Sequence, residues 1–190
     1  MCCSPFRKFN RWLTQACLKV DVFVNERNLI GIPDKSWKVF QALVIVNFAF
    51  STVVFLLGLL CFAIGSAFST YYTRVNCDNG INIWIPFNNM VASWTGFFAI
   101  RVLHLRWTAF IHFVFTLIMG PPMFIAATYS ALNISNWIEE DTKSRAFKDY
   151  GTKNAAINGT LAVLSYFIAC VTLVILGFYF YYWIPRSNRT

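Results

Sequence analysis

Residues 39–64 read VFQALVIVNFAFSTVVFLLGLLCFAI, a run without a single Asp, Glu, Lys or Arg. A hydrocarbon layer about 30 Å thick is crossed by roughly 20 apolar residues in helical form. The run meets that length, so its solvent is read as lipid. Within it only Asn47, and Gln41 near its start, are strongly polar.

Working outward, the rest of the chain repeats the pattern. Residues 79–100, 107–138 and 154–185 also lack Asp, Glu, Lys and Arg. Hydrophobic residues make up 57% of the 190 and charged residues 13%, with a mean hydropathy of +0.54. A soluble domain carries about 25% charged residues to keep its surface wet. The pattern predicts an all-α membrane protein, a four-helix transmembrane bundle with helices at 39–64, 83–103, 107–130 and 157–183. Short connections make these helices neighbours in an up-down arrangement. Gly58, Gly65, Ser66, Ser93, Gly96, Ala162 and Ala169 offer small surfaces for close approach.

Charge sets the orientation. Seven of the 16 basic residues precede the first long run: Arg7, Lys8, Arg11, Lys19, Arg27, Lys35 and Lys38. The connection at 101–107 carries Arg101 and Arg106 without an acid, and the chain ends with Arg186 and Arg189. In the loop at 132–153, Glu139, Glu140, Asp141 and Asp149 balance four bases. Lys and Arg are retained on the cytoplasmic side, so both termini and the middle connection are expected inside. The net charge of +8 is thus read as a topology signal, not as a nucleic-acid footprint. The first apolar run lies too deep for a signal-peptide layout and is expected to remain as a helix.

Residues 1–38 form a basic, amphipathic cytoplasmic segment, and 186–190 a cytoplasmic tail. Phe6, Phe9, Leu13, Ala16, Cys17 and Val20 recur at three- and four-residue steps. That spacing predicts an interfacial helix with its apolar side among the headgroups. Cys2 and Cys3, beside basic residues, are candidate palmitoylation sites. Cys61 and Cys170 read as small packing residues.

Polar residues inside a membrane are the usual functional pointers. Asn47, Asn88, Asn89 and His112 are the candidates, with Tyr181 or Asn47 as expected hydrogen-bond partners for His112. Gly120-Pro121-Pro122 removes two backbone donors mid-helix and predicts a kink. Asn133-Ile134-Ser135 and Asn158-Gly159-Thr160 are sequons on the expected outer side, making Asn133 and Asn158 candidate glycosylation sites, both close to the membrane. The familiar catalytic patterns, H-E-x-x-H, C-x-x-C, G-x-S-x-G and the Walker loop, are missing. No enzyme activity, cofactor or metal site is expected.

The layout also resembles a family. A first helix opens Val39-Phe40-Gln41-Ala42-Leu43, and a short outer loop ends in Trp84-Ile85-Pro86-Phe87 before a helix with Ser93 and Gly96. This is similar to the membrane-spanning four-domain family of B-cell surface antigen type and its relative sarcospan. The resemblance implies an oligomeric tetraspan that assembles with receptors, signalling proteins or channels. The chain departs from it in lacking a cysteine pair in the second outer loop, and it has neither a tetraspanin Cys-Cys-Gly signature nor a claudin tryptophan motif. The expected function is an accessory or organising subunit of a membrane complex at the plasma membrane, with an internal membrane as the alternative. Its expected partners are the bilayer and other integral membrane proteins, in homo- or hetero-oligomers, and not nucleic acid. A homo-oligomeric channel or small transporter is the competing expectation.

Overall fold

In the computed structural model the described residues are 11, 12, 15, 34–68, 80–101, 106–143 and 148–183, and all of these are helical except Gly80, Gly120 and Pro121. The helices are α1 (Asp34–Phe68), α2 (Ile81–Arg101), α3 (Arg106–Met119), α4 (Pro122–Lys143) and α5 (Lys148–Trp183). Of the amphipathic segment, Arg11, Trp12 and Gln15 are helical and exposed. The rest of that segment, including Cys2 and Cys3, lies outside the described residues, as does the tail at 186–190.

The helices alternate in direction. Asn89 of α2 meets Asn47 and Ser51 of α1, whereas Asn82 lies against Gly58. Tyr182 of α5 reaches Ser36 of α1, and Asn158 reaches Cys61. Gly96 meets His112, and Ser130 of α4 bonds Asn82 at 3.0 Å. The ring of contacts therefore runs α1–α2–α3/α4–α5 and back to α1, with α4 against α5 the most extensive pair.

Two apolar clusters fill the interior. One gathers Phe40, Val44, Ala99, Ala109, Ile175 and Tyr179 around the ends of the helices that share the α2–α3 connection. The other gathers Val54, Met123, Trp137, Leu161 and Ile168 toward the opposite end. The buried face of α5 explains its length. Ala155, Ala162, Ala169 and Leu176 recur every seven residues and are buried, as are Asn158, Ser165, Thr172 and Tyr179. A seven-residue repeat keeps one seam of a helix facing its neighbours along its whole course.

The distribution of polarity is inverted relative to a water-soluble protein. Asn47, Ser51, Asn89, His112 and Thr172 are at most 1% exposed, while Leu56, Ile118, Ile125 and Val163 are between 57% and 69% exposed. Large apolar surfaces of this extent need an apolar solvent. α1, the α3–α4 rod and α5 are each long and apolar enough to cross a membrane. Ile81–Arg101 is not in that group, because Asn82, Asn88 and Asn89 dilute its first half.

The helix limits differ from the sequence expectation in one region. The expected loop at 132–153 is largely helix, with α4 running to Lys143 and α5 starting at Lys148. Asn133, Asn154 and Asn158 look like loop residues, but their side chains turn inward and Trp137 and Ala155 join the apolar cluster. Burial of that face overrides the weak helix propensity of asparagine.

Candidate functional site

Between the two apolar clusters lies a polar belt drawn from four helices. α1 contributes Asn47 and Ser51, α2 Asn89 and Ser93, α3 His112 and Thr116, and α5 Thr172 and Tyr179; all eight are buried. On each of α1, α2 and α3 the pair is spaced i,i+4, which puts both residues on one helix face. A shared face explains why burial of one brings the other.

Asn89 is the hub. Its Nδ2 donates to Ser51 Oγ at 2.8 Å and to Asn47 Oδ1 at 3.2 Å. Thr172 Oγ1 lies 3.4 Å from the same Asn47 oxygen and donates at 2.8 Å to the Ile168 carbonyl. Ser93 Oγ donates to the Asn89 carbonyl at 2.9 Å. α1 and α2 are thereby tied by side-chain amides and hydroxyls, with Thr172 of α5 packed against the same Asn47 oxygen.

His112 joins α3 to α5 through Tyr179, whose hydroxyl is 2.6 Å from Nδ1. Either the tyrosine hydroxyl or Nδ1–H donates in this contact, according to the imidazole tautomer, and the second ring nitrogen is Nε2. That nitrogen abuts Gly96: a Cβ there would come within 2.8 Å of Nε2. Phe40 covers the pair, its ring centroid 5.5 Å from that of Tyr179 and 6.1 Å from that of His112. The expected partner Tyr181 instead points outward at 67% exposure. One residue separates them in sequence and more than a quarter-turn separates them on the helix.

Gly120 sits at the level of this belt. Its N–H donates to the Thr116 carbonyl at 3.0 Å, and Thr172 packs directly on its Cα side. α3 stops at Met119 and α4 begins at Pro122, so the interruption falls on Gly120-Pro121. Asn88, the neighbour of the hub, is only half-buried and stands outside the network. Three buried atoms of the belt, Asn89 Oδ1, His112 Nε2 and Thr116 Oγ1, have no hydrogen-bond partner.

A second polar group lies toward the far end, where Ser130 Oγ donates to Asn82 Oδ1 and Asn158 Nδ2 donates to the Asn154 carbonyl at 2.9 Å. The two sequon asparagines belong to this region. Asn133 is 4% exposed and Asn158 fully buried, and the Asn158 nitrogen that would carry a glycan is engaged with the backbone. The folded helices turn both side chains inward. Cys61 is also more than a packing residue. It is disulfide-bonded and accepts from Asn158 Nδ2 at 3.6 Å. Cys170 is free and exposed.

Sequence reasoning identified Asn47, Asn89 and His112 but missed Ser51, Ser93, Thr116, Thr172 and Tyr179. The available signal was spacing: each of these lies four residues from a recognised polar residue or on the seven-residue series of α5. Among the described residues no group of three His, Cys, Asp or Glu side chains is placed to hold a metal ion. The arrangement is a non-ionic hydrogen-bonded tie, which can fix helix register and orientation.

Fold and site together define an α-helical, multi-span membrane protein. In comparison with known proteins, no family model, no curated protein and no solved structure matches the chain.

Proposed function

We propose that the protein is a non-catalytic membrane organiser, a tetraspan that binds other integral membrane proteins through its lipid-facing helix surfaces. One observation carries this reading: most polar groups of the belt bond one another or their own backbone, and among the described residues no Asp, Glu, Lys or Arg is buried. What remains for partners is the outside, where large apolar side chains face lipid on α1, α3, α4 and α5.

In this reading α2 is the fourth span. Its 21 residues measure about 31 Å at 1.5 Å per residue, enough for the hydrocarbon core. It packs along α1 from Gly58 to Asn47, and Asn82 and Asn89 face protein instead of lipid. Four spans put both basic termini on the cytoplasmic side. The disulfide at Cys61, toward the opposite end, supports that orientation, since disulfides persist in oxidising compartments. Palmitoylation at Cys2 and Cys3, and residence at the plasma membrane, complete the proposal. The layout shared with the membrane-spanning four-domain family points the same way.

Mild-detergent purification of the full-length protein tests the reading. A stoichiometric integral membrane companion supports it, and its absence from native membranes removes its basis. The second reading, a homo-oligomeric channel, is favoured by the unpartnered atoms of Asn89, His112 and Thr116 at mid-depth, which supply hydrogen-bonding positions for water. Liposome flux from purified protein, abolished by Asn47→Leu, is its test.

A further inference from the structure

We infer that α3 is a hinged half-helix with two resting positions. It pivots on Gly120-Pro121 and is latched to α5 here by the His112–Tyr179 contact. In its other position it is held to α2 by a hydrogen bond from Thr116 to Asn89. The inference is independent of what binds the outer faces of the bundle.

The backbone supplies the hinge. The prolines at 121 and 122 have no N–H to give to Leu117 and Ile118, so the helical ladder is cut there. The next donors do not restore it. Phe124 N–H goes to the Pro121 carbonyl at 3.0 Å, and among the described residues only Met123 N–H, on the Gly120 carbonyl, spans the step from Gly120 to Pro121. A continuous helix carries about four such bonds across each step. Packing then separates the two halves. α4 lies against α5 along its length, whereas α3 meets α5 sparsely and rests mainly on α2. Under the His112 ring that surface is the Gly96 backbone, with no side chain to key it.

The polar groups supply the second position. His112 and Thr116 are buried on α3, yet His112 Nε2 and Thr116 Oγ1 have no hydrogen-bond partner. A helical threonine ordinarily returns its hydroxyl to its own backbone, as Thr52, Thr128, Thr160 and Thr172 do; Thr116 does not. On the facing helix Asn89 Oδ1 is equally buried and is an acceptor without a donor. The two groups are complementary. From the Gly96–His112 contact, Thr116 lies about 6 Å along α3 and Asn89 about 10 Å along α2 in the same direction, at 1.5 Å per residue. Successive helical residues stand about 100° apart, so Thr116 is about 40° round the helix from His112. A turn of α3 by that amount carries the Thr116 hydroxyl toward the α2 face that holds Asn89, and takes the imidazole off Tyr179. Each position thus pairs groups that the other leaves unpaired. Buried unpaired groups are costly, and packed helices move between discrete arrangements.

The test replaces Phe113 by 4-trifluoromethylphenylalanine and records fluorine spectra of the purified full-length protein in lipid nanodiscs. The Phe113 ring lies 5.5 Å from those of Tyr179 and Phe180, so it reports on α3 against α5. Phe124 of α4, packed on Tyr166, carries the same probe as the control. Two resonances are expected at 113 and one at 124. Tyr179→Phe removes the hydroxyl of the latch and should shift the ratio at 113 toward the second resonance by about threefold or more. Thr116→Val keeps the shape of the side chain without its hydroxyl and should shift the ratio the other way by a similar factor. One sharp resonance at 113, in the native protein and in Tyr179→Phe alike, overturns the inference and leaves the unpaired atoms to buried water. Two resonances at 124 as well overturn the hinge, since both halves would then move together. A ratio left unchanged by Thr116→Val overturns the Thr116–Asn89 contact and the second position with it.

Discussion

Asn89 carries more of the belt than any other side chain, because both protons of its amide are used, one on Asn47 and one on Ser51. Asn89→Leu leaves two buried acceptors without that donor, and a stability loss of about 1 to 2 kcal/mol is expected. Asn88→Leu changes the adjacent, half-buried residue that no belt member touches and should be nearly neutral. Reversible unfolding in mixed micelles compares the two, and equal losses would contradict the assignment of the hub. The His112–Tyr179 pair makes a separate claim. A double-mutant cycle with Tyr179→Phe and His112→Leu should give a coupling of roughly 0.6 to 1.7 kcal/mol, the range of interhelical hydrogen bonds in membranes. A coupling near zero would mean that the 2.6 Å contact is packing only.

At the scale of the helices, two glycines give opposite expectations. A Cβ at Gly58 would overlap the Asn82 carbonyl oxygen, so a side chain there must push α1 from α2. Gly58→Val is expected to lower stability by about 1 to 3 kcal/mol or more, by overpacking. Gly177 faces open space on the lipid side, and Gly177→Ala should be neutral or stabilising by up to about 1 kcal/mol, from helix propensity. Thermal midpoints of the two variants check the pair. The elements themselves were only partly legible in the sequence. Each uncharged run overlaps a long helix among the described residues, since lipid permits few charges within a span. The Gly-Pro-Pro step located the interruption between α3 and α4, because missing backbone donors are a local property. The extent of α4 and α5 was hidden. Asparagine is read as a loop former unless its side chain is known to be buried, and the burial of Asn133, Asn154 and Asn158 depends on the neighbouring helix. The belt was hidden for a related reason. Single serines and threonines bond their own backbone in any helix, as Thr52 and Thr160 do, and nothing local separates those from Ser51 or Thr172.

For the whole molecule, the position of α2 decides the topology. Three spans would set the basic N-terminal segment and the basic tail on opposite sides, whereas four set them together. In sealed vesicles, a membrane-impermeant thiol reagent should reach Ile81→Cys and Arg101→Cys from opposite faces. Reaction of both from one face would mean that α2 does not cross, and the orientation argued from Lys and Arg would fail with it. In the proposed reading the working surface lies on the outside. An interior without buried charge among the described residues, beneath broad apolar faces, suits lateral contacts in the bilayer better than transport through the bundle. The measurement that tests this most directly is purification of tagged, full-length protein from its native cells in mild detergent, with the mass and composition of the particle determined. A particle containing a stoichiometric second integral membrane protein is expected. A homo-oligomer with no companion, conducting ions or solutes in liposomes, would contradict the account and establish the pore in its place.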